Sequence, residues 1–215
     1  AQNLWCIGKI RKISRSSWHG NMRIGILGGT FNPPHNGHIW AAQNAVRQLR
    51  LDKMILMPTG IPPHKILPEG SASPAQRLAM ARLAAREIPG AEVSDMEIGR
   101  QGASYTVDTM TELRKRYPED ELFLIVGTDM LMTFDRWYQP EAIARLCGLA
   151  VVARSETDLA AIERKAKALQ QSIGAQVHIV RCHALELSST EIRKKEKDGM
   201  PRTVAEYIKT QGLYE

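Results

Sequence analysis

From residue 22 onward, short apolar runs alternate with amphipathic stretches. The run 23–27, Arg-Ile-Gly-Ile-Leu, has the length and residue types of a strand. Ile39, Ala42, Val46 and Leu49 follow at helical spacing and predict a helix over 38–49. The same logic predicts strands over 53–57, 91–94, 122–126, 148–153 and 177–180. It predicts helices over 74–88, 105–117, 140–146 and 157–172, and two more near 189–197 and 201–210. Proline opens the 74–88 helix and Pro89-Gly90 follows it, as helix starts and stops do. Residues 58–73, with Pro58, Gly60, Pro62, Pro63, Pro68 and Gly70, read as one long loop, a length usually tied to function or mobility.

Strands separated by helices imply parallel neighbours joined by right-handed crossovers. The expected architecture is α/β: a doubly wound (Rossmann-like) parallel sheet of five to six strands flanked by helices. No internal repeat or second domain is visible, so 22–215 is expected to be a single domain. Residues 1–21 break the pattern: they contain Lys9, Arg11, Lys12 and Arg15 and no acid. They read as a basic extension outside the catalytic unit, with the composition of a transit peptide or an upstream addition before Met22.

Charge changes the picture only locally. Of the net +6, the extension holds +4, which leaves +2 on everything after it. That near-balance argues against a broad nucleic-acid-binding face but not against a small phosphate pocket. No apolar run is long enough to span a membrane, and no membrane partner is expected. Cys6, Cys147 and Cys182 are scattered, form no metal spacing or disulfide framework, and suit reduced thiols of a cytoplasmic protein. The chain is expected as a monomer or small homo-oligomer.

The densest chemistry lies between the first strand and helix, in Gly28-Gly29-Thr30-Phe31-Asn32-Pro33-Pro34-His35-Asn36-Gly37-His38. Gly28 and Gly29 allow a tight turn and a close approach to a ligand. Gly37 leaves the start of the next helix uncovered, where free N–H groups favour an anion. His35 and His38 flank that start, and each can donate to a phosphate oxygen. Metal ligation by the pair is the alternative, but no adjoining Glu or Cys completes a zinc pattern. The turn is neither a P-loop nor a Gly-x-Gly-x-x-Gly fingerprint.

This segment resembles the signature of the nucleotidyltransferase superfamily that carries a His-x-Gly-His motif. Within it, residues 22–215 are similar to the bacterial nicotinate mononucleotide adenylyltransferases. Other segments bear on the resemblance. Pro62-Pro63-His64-Lys65 reads either as a solvated loop or as a stiff arm bringing Lys65 to phosphate. Ser104-Tyr105-Thr106 is by default a helix cap. Gly127-Thr128-Asp129 follows a buried strand, and its acid can meet ribose hydroxyls or cap a helix. Trp137-Tyr138, in a polar setting, can stack on a ring. Ser188 and Glu191 have capping-box spacing, so Ser189, Thr190 and Arg193 sit at a helix start suited to an anion.

The resemblance implies an enzyme joining ATP and nicotinate mononucleotide into nicotinate adenine dinucleotide and pyrophosphate, with Mg²⁺ carried mainly by the triphosphate. It implies that His35, His38, Lys65 and Arg193 stabilise the reacting phosphates. It assigns Gly28, Gly29, Thr30, Phe31, Gly37, Gly127, Asp129, Ser188, Ser189 and Thr190 to ATP. Asn32, His64, Ser104, Tyr105, Thr106, Trp137 and Tyr138 go to the mononucleotide. Asn32 stands where the family often has Asp, which leaves no role there that needs a carboxylate. Two other readings stay open: a superfamily member with a phosphopantetheine or glycerol-phosphate acceptor, and a non-catalytic nucleotide- or RNA-binding protein.

Overall fold

The computed structural model describes residues 21–63, 66–153, 156–182 and 199–214. Its strands are β1 (Arg23–Gly29), β2 (Lys53–Pro58), β3 (Ala91–Val93), β4 (Glu121–Gly127), β5 (Gly148–Ala153) and β6 (Val177–Arg181). They form one sheet in the order β3-β2-β1-β4-β5-β6. Every neighbouring pair is parallel. The helices are α1 (Asn36–Leu49), α2 (Pro74–Ala85), α3 (Thr106–Arg116), α4 (Thr128–Met132), α5 (Pro140–Leu146), α6 (Glu156–Ile173) and, numbering the described elements only, α7 (Arg202–Thr210).

Alternation along each strand divides the apolar residues between two cores. Leu122, Leu124 and Val126 of β4 turn to one face with Ile24 and Ile26 of β1, under Met110 and Leu113 of α3, Ile143 of α5 and Ile162 of α6. Phe123 and Ile125 turn to the other, with Leu27, under Ile39 and Ala42 of α1, Met80 and Ala84 of α2 and Val204 of α7. Each fully buried Leu, Ile or Met contributes about 1.5–3 kcal/mol. Strands buried on both faces read as continuous apolar runs, as β4 does.

The chain builds outward from β1 to β3, then returns to place β4 on the other side of β1. That reversal opens a crevice at the carboxyl ends of β1 and β4, where such sheets hold ligands. Element boundaries differ from the sequence pattern by up to three residues. The helix expected over 74–88 ends at Ala85. α1 begins at Asn36 rather than 38, because polar Asn36 and Gly37 carry no hydrophobic period. The pattern also gave no sign of α4 or of the 3₁₀ turn Phe134–Arg136, each shorter than two helical turns. The helix expected near 189–197 lies outside the described residues. Among the described residues, no helix is long and apolar enough to cross a membrane.

Candidate active site

The β1–α1 turn closes on itself. His35 is the N-cap of α1, in an extended conformation (φ −140°, ψ 170°). Its backbone N–H donates to His38 Nδ1 at 3.2 Å. With Nδ1 accepting, the proton of the neutral His38 ring is on Nε2. The two imidazoles lie with centroids 3.8 Å apart. His35 is buried, and the Phe31 ring stands 5.0 Å from that of His38. Gly37, at the second helical position, has no intrahelical acceptor for its N–H. The first turn of α1 carries no acid that would oppose an anion there.

The side chains of Phe31 and Asn32, expected at ATP and at the mononucleotide, are 1% and 3% exposed and are packed inside the protein. The Asn32 amide ties three segments together. Its Nδ2 donates to Ser71 Oγ (2.9 Å), and its Oδ1 accepts from the Ala72 N–H (3.2 Å) and from the Tyr214 hydroxyl (2.5 Å). A side chain with both donor and acceptor, next to a turn that must be fixed, is held by the protein rather than by substrate. Phe31 adopts a left-handed backbone (φ 48°), which packs its ring under Gly29.

A cavity of about 230 Å³ opens beside the turn. Gly28, Gly29 and Thr30 form one wall. A Cβ at Gly28 would meet no protein atom within 4 Å, so its bare Cα is not required by packing and leaves the wall open to a ligand. Ser104, Tyr105 and Thr106 form the opposite wall, and Trp137 and Tyr138 the rim. Tyr138 is 52% exposed and its ring lies 4.8 Å from that of Tyr105, while half-buried Trp137 is anchored on Phe134 at 5.2 Å. As the sequence suggested, the 104–106 segment stands at a helix start. The N-cap of α3 is Tyr105, and no side chain caps that helix. The buried Ser104 Oγ makes no hydrogen bond among the described residues.

Gly127 is the N-cap of α4 and Asp129 lies exposed in its first turn, with no side-chain capping bond. Both stand at the end of β4 across the crevice, outside the cavity lining, as do Gly37, His35 and His38. The segments 28–30, 104–106 and 137–138 therefore converge on one cavity, with the His pair beside it. His64, Lys65, Ser188, Ser189, Thr190 and Arg193 lie outside the described residues.

Two buried charges, Arg77 behind the wall and Glu97 in the cavity lining, were not anticipated. Arg77 of α2 is fully buried and, among the described residues, bonded only to backbone carbonyls. Burial lowers its pKa without discharging it. Glu97, also buried, lines the cavity and accepts from Thr109 Oγ1 at 2.8 Å. Arg100 donates in turn to Thr109 Oγ1 at 2.9 Å. Burial pushes the Glu97 carboxyl up, against the bonds from Thr109 and Thr59 and the Arg100 charge. The backbone comes equally close here: a Cβ on Gly60 would lie 2.2 Å from the Glu97 carbonyl, so only glycine fits. Arg77 had a legible signal, since it falls on the same helical stripe as Met80, Ala81 and Ala84. Glu97 had none, as it sits in an irregular segment without period.

Residues 26–195 match the Cytidylyltransferase-like family. A protein of Citrifermentans bemidjiense named "Probable nicotinate-nucleotide adenylyltransferase" is 40% identical over 213 residues, covering 90% of this chain and 98% of its own. One of the same name from Synechococcus sp. (strain JA-3-3Ab) is 41% identical over 198 residues, covering 89% and 94%. Among solved structures, Plasmodium falciparum nicotinic acid mononucleotide adenylyltransferase complexed with NaAD shares the fold, with a TM-score of 0.74 at 17% identity, over 90% of this chain and 98% of that one. With that span matched, and relatives at 40% and 41% identity along nearly its whole length, the chain belongs to the Cytidylyltransferase-like family, among the nicotinate-nucleotide adenylyltransferases.

Proposed function

We propose that this chain transfers the adenylyl group of ATP to nicotinate mononucleotide, forming nicotinate adenine dinucleotide and pyrophosphate in NAD biosynthesis. The observation that carries the reading is the cavity between the β1 turn and α3. It combines an aromatic rim, Trp137 and Tyr138, with the uncapped start of a helix and the unpartnered Ser104 hydroxyl. A flat ring bearing a carboxylate has both kinds of partner there: a π-face contact and N–H or O–H donors for the anion. The relatives named above carry the name of this enzyme, which supports the same substrate pair.

In the reaction, a phosphate oxygen of the mononucleotide bonds to the α-phosphorus of ATP. The bond from that phosphorus to the bridging β-oxygen breaks, and pyrophosphate leaves. No protein nucleophile takes part, so the protein positions the phosphates and stabilises the charge that develops on them. His38 donates from Nε2, and His35 fixes its ring by stacking and by the backbone bond. The Gly37 N–H and the positive end of α1 face the same anion. Lys65 and Arg193, with Ser188, Ser189 and Thr190, complete the phosphate site, and His64 belongs to the mononucleotide side. Gly28, Gly29 and Thr30 form the floor under ATP, and Gly127 and Asp129 meet its ribose. Ser104, Tyr105 and Thr106 take the pyridine carboxylate. Among the described residues, no group of three His, Cys, Asp or Glu could hold a metal ion. ATP would enter as its Mg²⁺ complex, the ion carried mainly by the triphosphate. The catalytic unit is 22–215, acting in the cytoplasm as a monomer or small homo-oligomer, with no nucleic-acid or membrane partner.

The test is pyrophosphate release with ATP and Mg²⁺, comparing nicotinate mononucleotide, nicotinamide mononucleotide and phosphopantetheine. Preference for nicotinate mononucleotide is expected. Preference for phosphopantetheine would keep the phosphate site and overturn the pyridine pocket, and no release with any acceptor would overturn the reaction.

A further inference from the structure

We propose that Arg77 is a positioning residue that holds the nucleotide turn and the pyridine wall in register, so that one side chain sets the affinity for both substrates. The inference rests on the reading above, in which the β1 turn serves ATP and the opposite wall serves the pyridine.

Arg77 Nη1 donates to the Thr30 carbonyl (2.8 Å) and to the Thr59 carbonyl (2.6 Å), and Nη2 donates to the Gly60 carbonyl (3.1 Å). Thr30 leaves β1 and Thr59 leaves β2, and both line the cavity. One guanidinium therefore clips together the exits of two adjacent strands. The clip continues to the opposite wall, since Ile61, next to Gly60, accepts from the Ser104 N–H at 2.8 Å.

Three features separate this from an ordinary buried ion. The side chain is fully buried on the apolar stripe of α2, the costliest place for a cation. Among the described residues it makes no ion pair, and all its acceptors are backbone carbonyls of the two turns. Those carbonyls fix whole peptide planes: in a trans peptide the C=O and N–H are antiparallel, so the Phe31, Gly60 and Ile61 N–H groups are turned away from Arg77. A charge placed only for stability would gain more from a carboxylate partner. A planar fork that spans two loops suits orientation, and a lysine ammonium, with one point of contact on a flexible stem, does not replace it.

The test uses the full chain with Arg77→Lys and Arg77→Met. Pyrophosphate release is measured with ATP and nicotinate mononucleotide varied in turn, alongside thermal unfolding. Arg77→Met is expected to raise KM for both substrates by about tenfold or more, the scale of lost charged hydrogen bonds. Arg77→Lys restores the charge but not the fork. It is expected to recover most of the unfolding midpoint and to leave both KM values raised at least about threefold. Unchanged KM values in Arg77→Lys, or a change in only one, would overturn the role. If Arg77→Met fails to fold, Arg77→Lys decides on the same terms. The parent is measured first: no release by the parent overturns the reaction and this role with it, whereas an active parent with unaffected variants overturns the role alone.

Discussion

At the β1–α1 turn, near neighbours hold one another. The His35 N–H reaches a nitrogen three residues along the chain, the two imidazoles stack, and Phe31 closes over His38. Behind the turn and across the cavity, the walls are held by partners distant in sequence. Thr109 meets Glu97 12 residues away, and Arg77 reaches back 18 residues to Thr59 and 47 to Thr30. The packing of the His pair is local, whereas the exit of β1 at Thr30 and the Asn32 amide depend on segments far along the chain. The wall exists only when the whole sheet is assembled, so changes there act on stability and on substrate affinity together.

The contrast is broken most severely at the turn itself. His38→Ala removes the proposed phosphate donor and is expected to lower kcat by about 10²–10⁴-fold. The lost bond to the His35 N–H costs about 1 kcal/mol, so the urea midpoint hardly moves. Activity within a fewfold of the parent would show that the turn only shapes the site.

Asn32→Ala tests a residue of the turn whose partners are distant. It leaves the Ala72 N–H and the Tyr214 hydroxyl without this acceptor and is expected to cost about 2–3 kcal/mol in urea unfolding. Asn32→Asp should cost less. A carboxylate still accepts from both groups, and the Ser71 hydroxyl can rotate to donate to it. Equal losses in the two variants would remove the hydrogen-bond account.

At the rim, Trp137→Ala is expected to raise KM for the pyridine mononucleotide about tenfold while KM for ATP stays put, the scale of one lost stacking contact. An Arg77 variant moves both, so the pair of kinetic signatures separates a wall contact from the clip behind it.

The smallest effect is on pH. Burial holds the Glu97 carboxyl above its ordinary range, so ionising it is harder in the folded protein than in the unfolded chain. Its contribution therefore falls as pH rises through that range. Glu97→Gln, which keeps an acceptor for Thr109, is expected to unfold at a higher temperature than the parent at pH 7. The gap should close below about pH 4. A parent more stable than the variant at pH 7 would mean that the charge is stabilised by its donors.

The alternation of strands and helices, the apolar run of β4, and the crowding of Gly, Pro and His in residues 28–38 were all legible, because each is a relation between near neighbours. So was the place of Trp137-Tyr138 and Ser104-Tyr105-Thr106 in one cavity, once the resemblance joined them. Near-neighbour relations alone thus carry the class of fold and single out the turn proposed for phosphate and the segments proposed for the ring. The tertiary structure alone decided the order β3-β2-β1-β4-β5-β6. It also turned Asn32 inward, set Glu97 in the cavity lining and gave Arg77 its three carbonyl partners. Asn32 meets Tyr214 across 182 residues and Arg77 meets Thr30 across 47. Such bonds obey no period and leave no local trace, because what selects them is the unmet demand of a buried polar group in the assembled core.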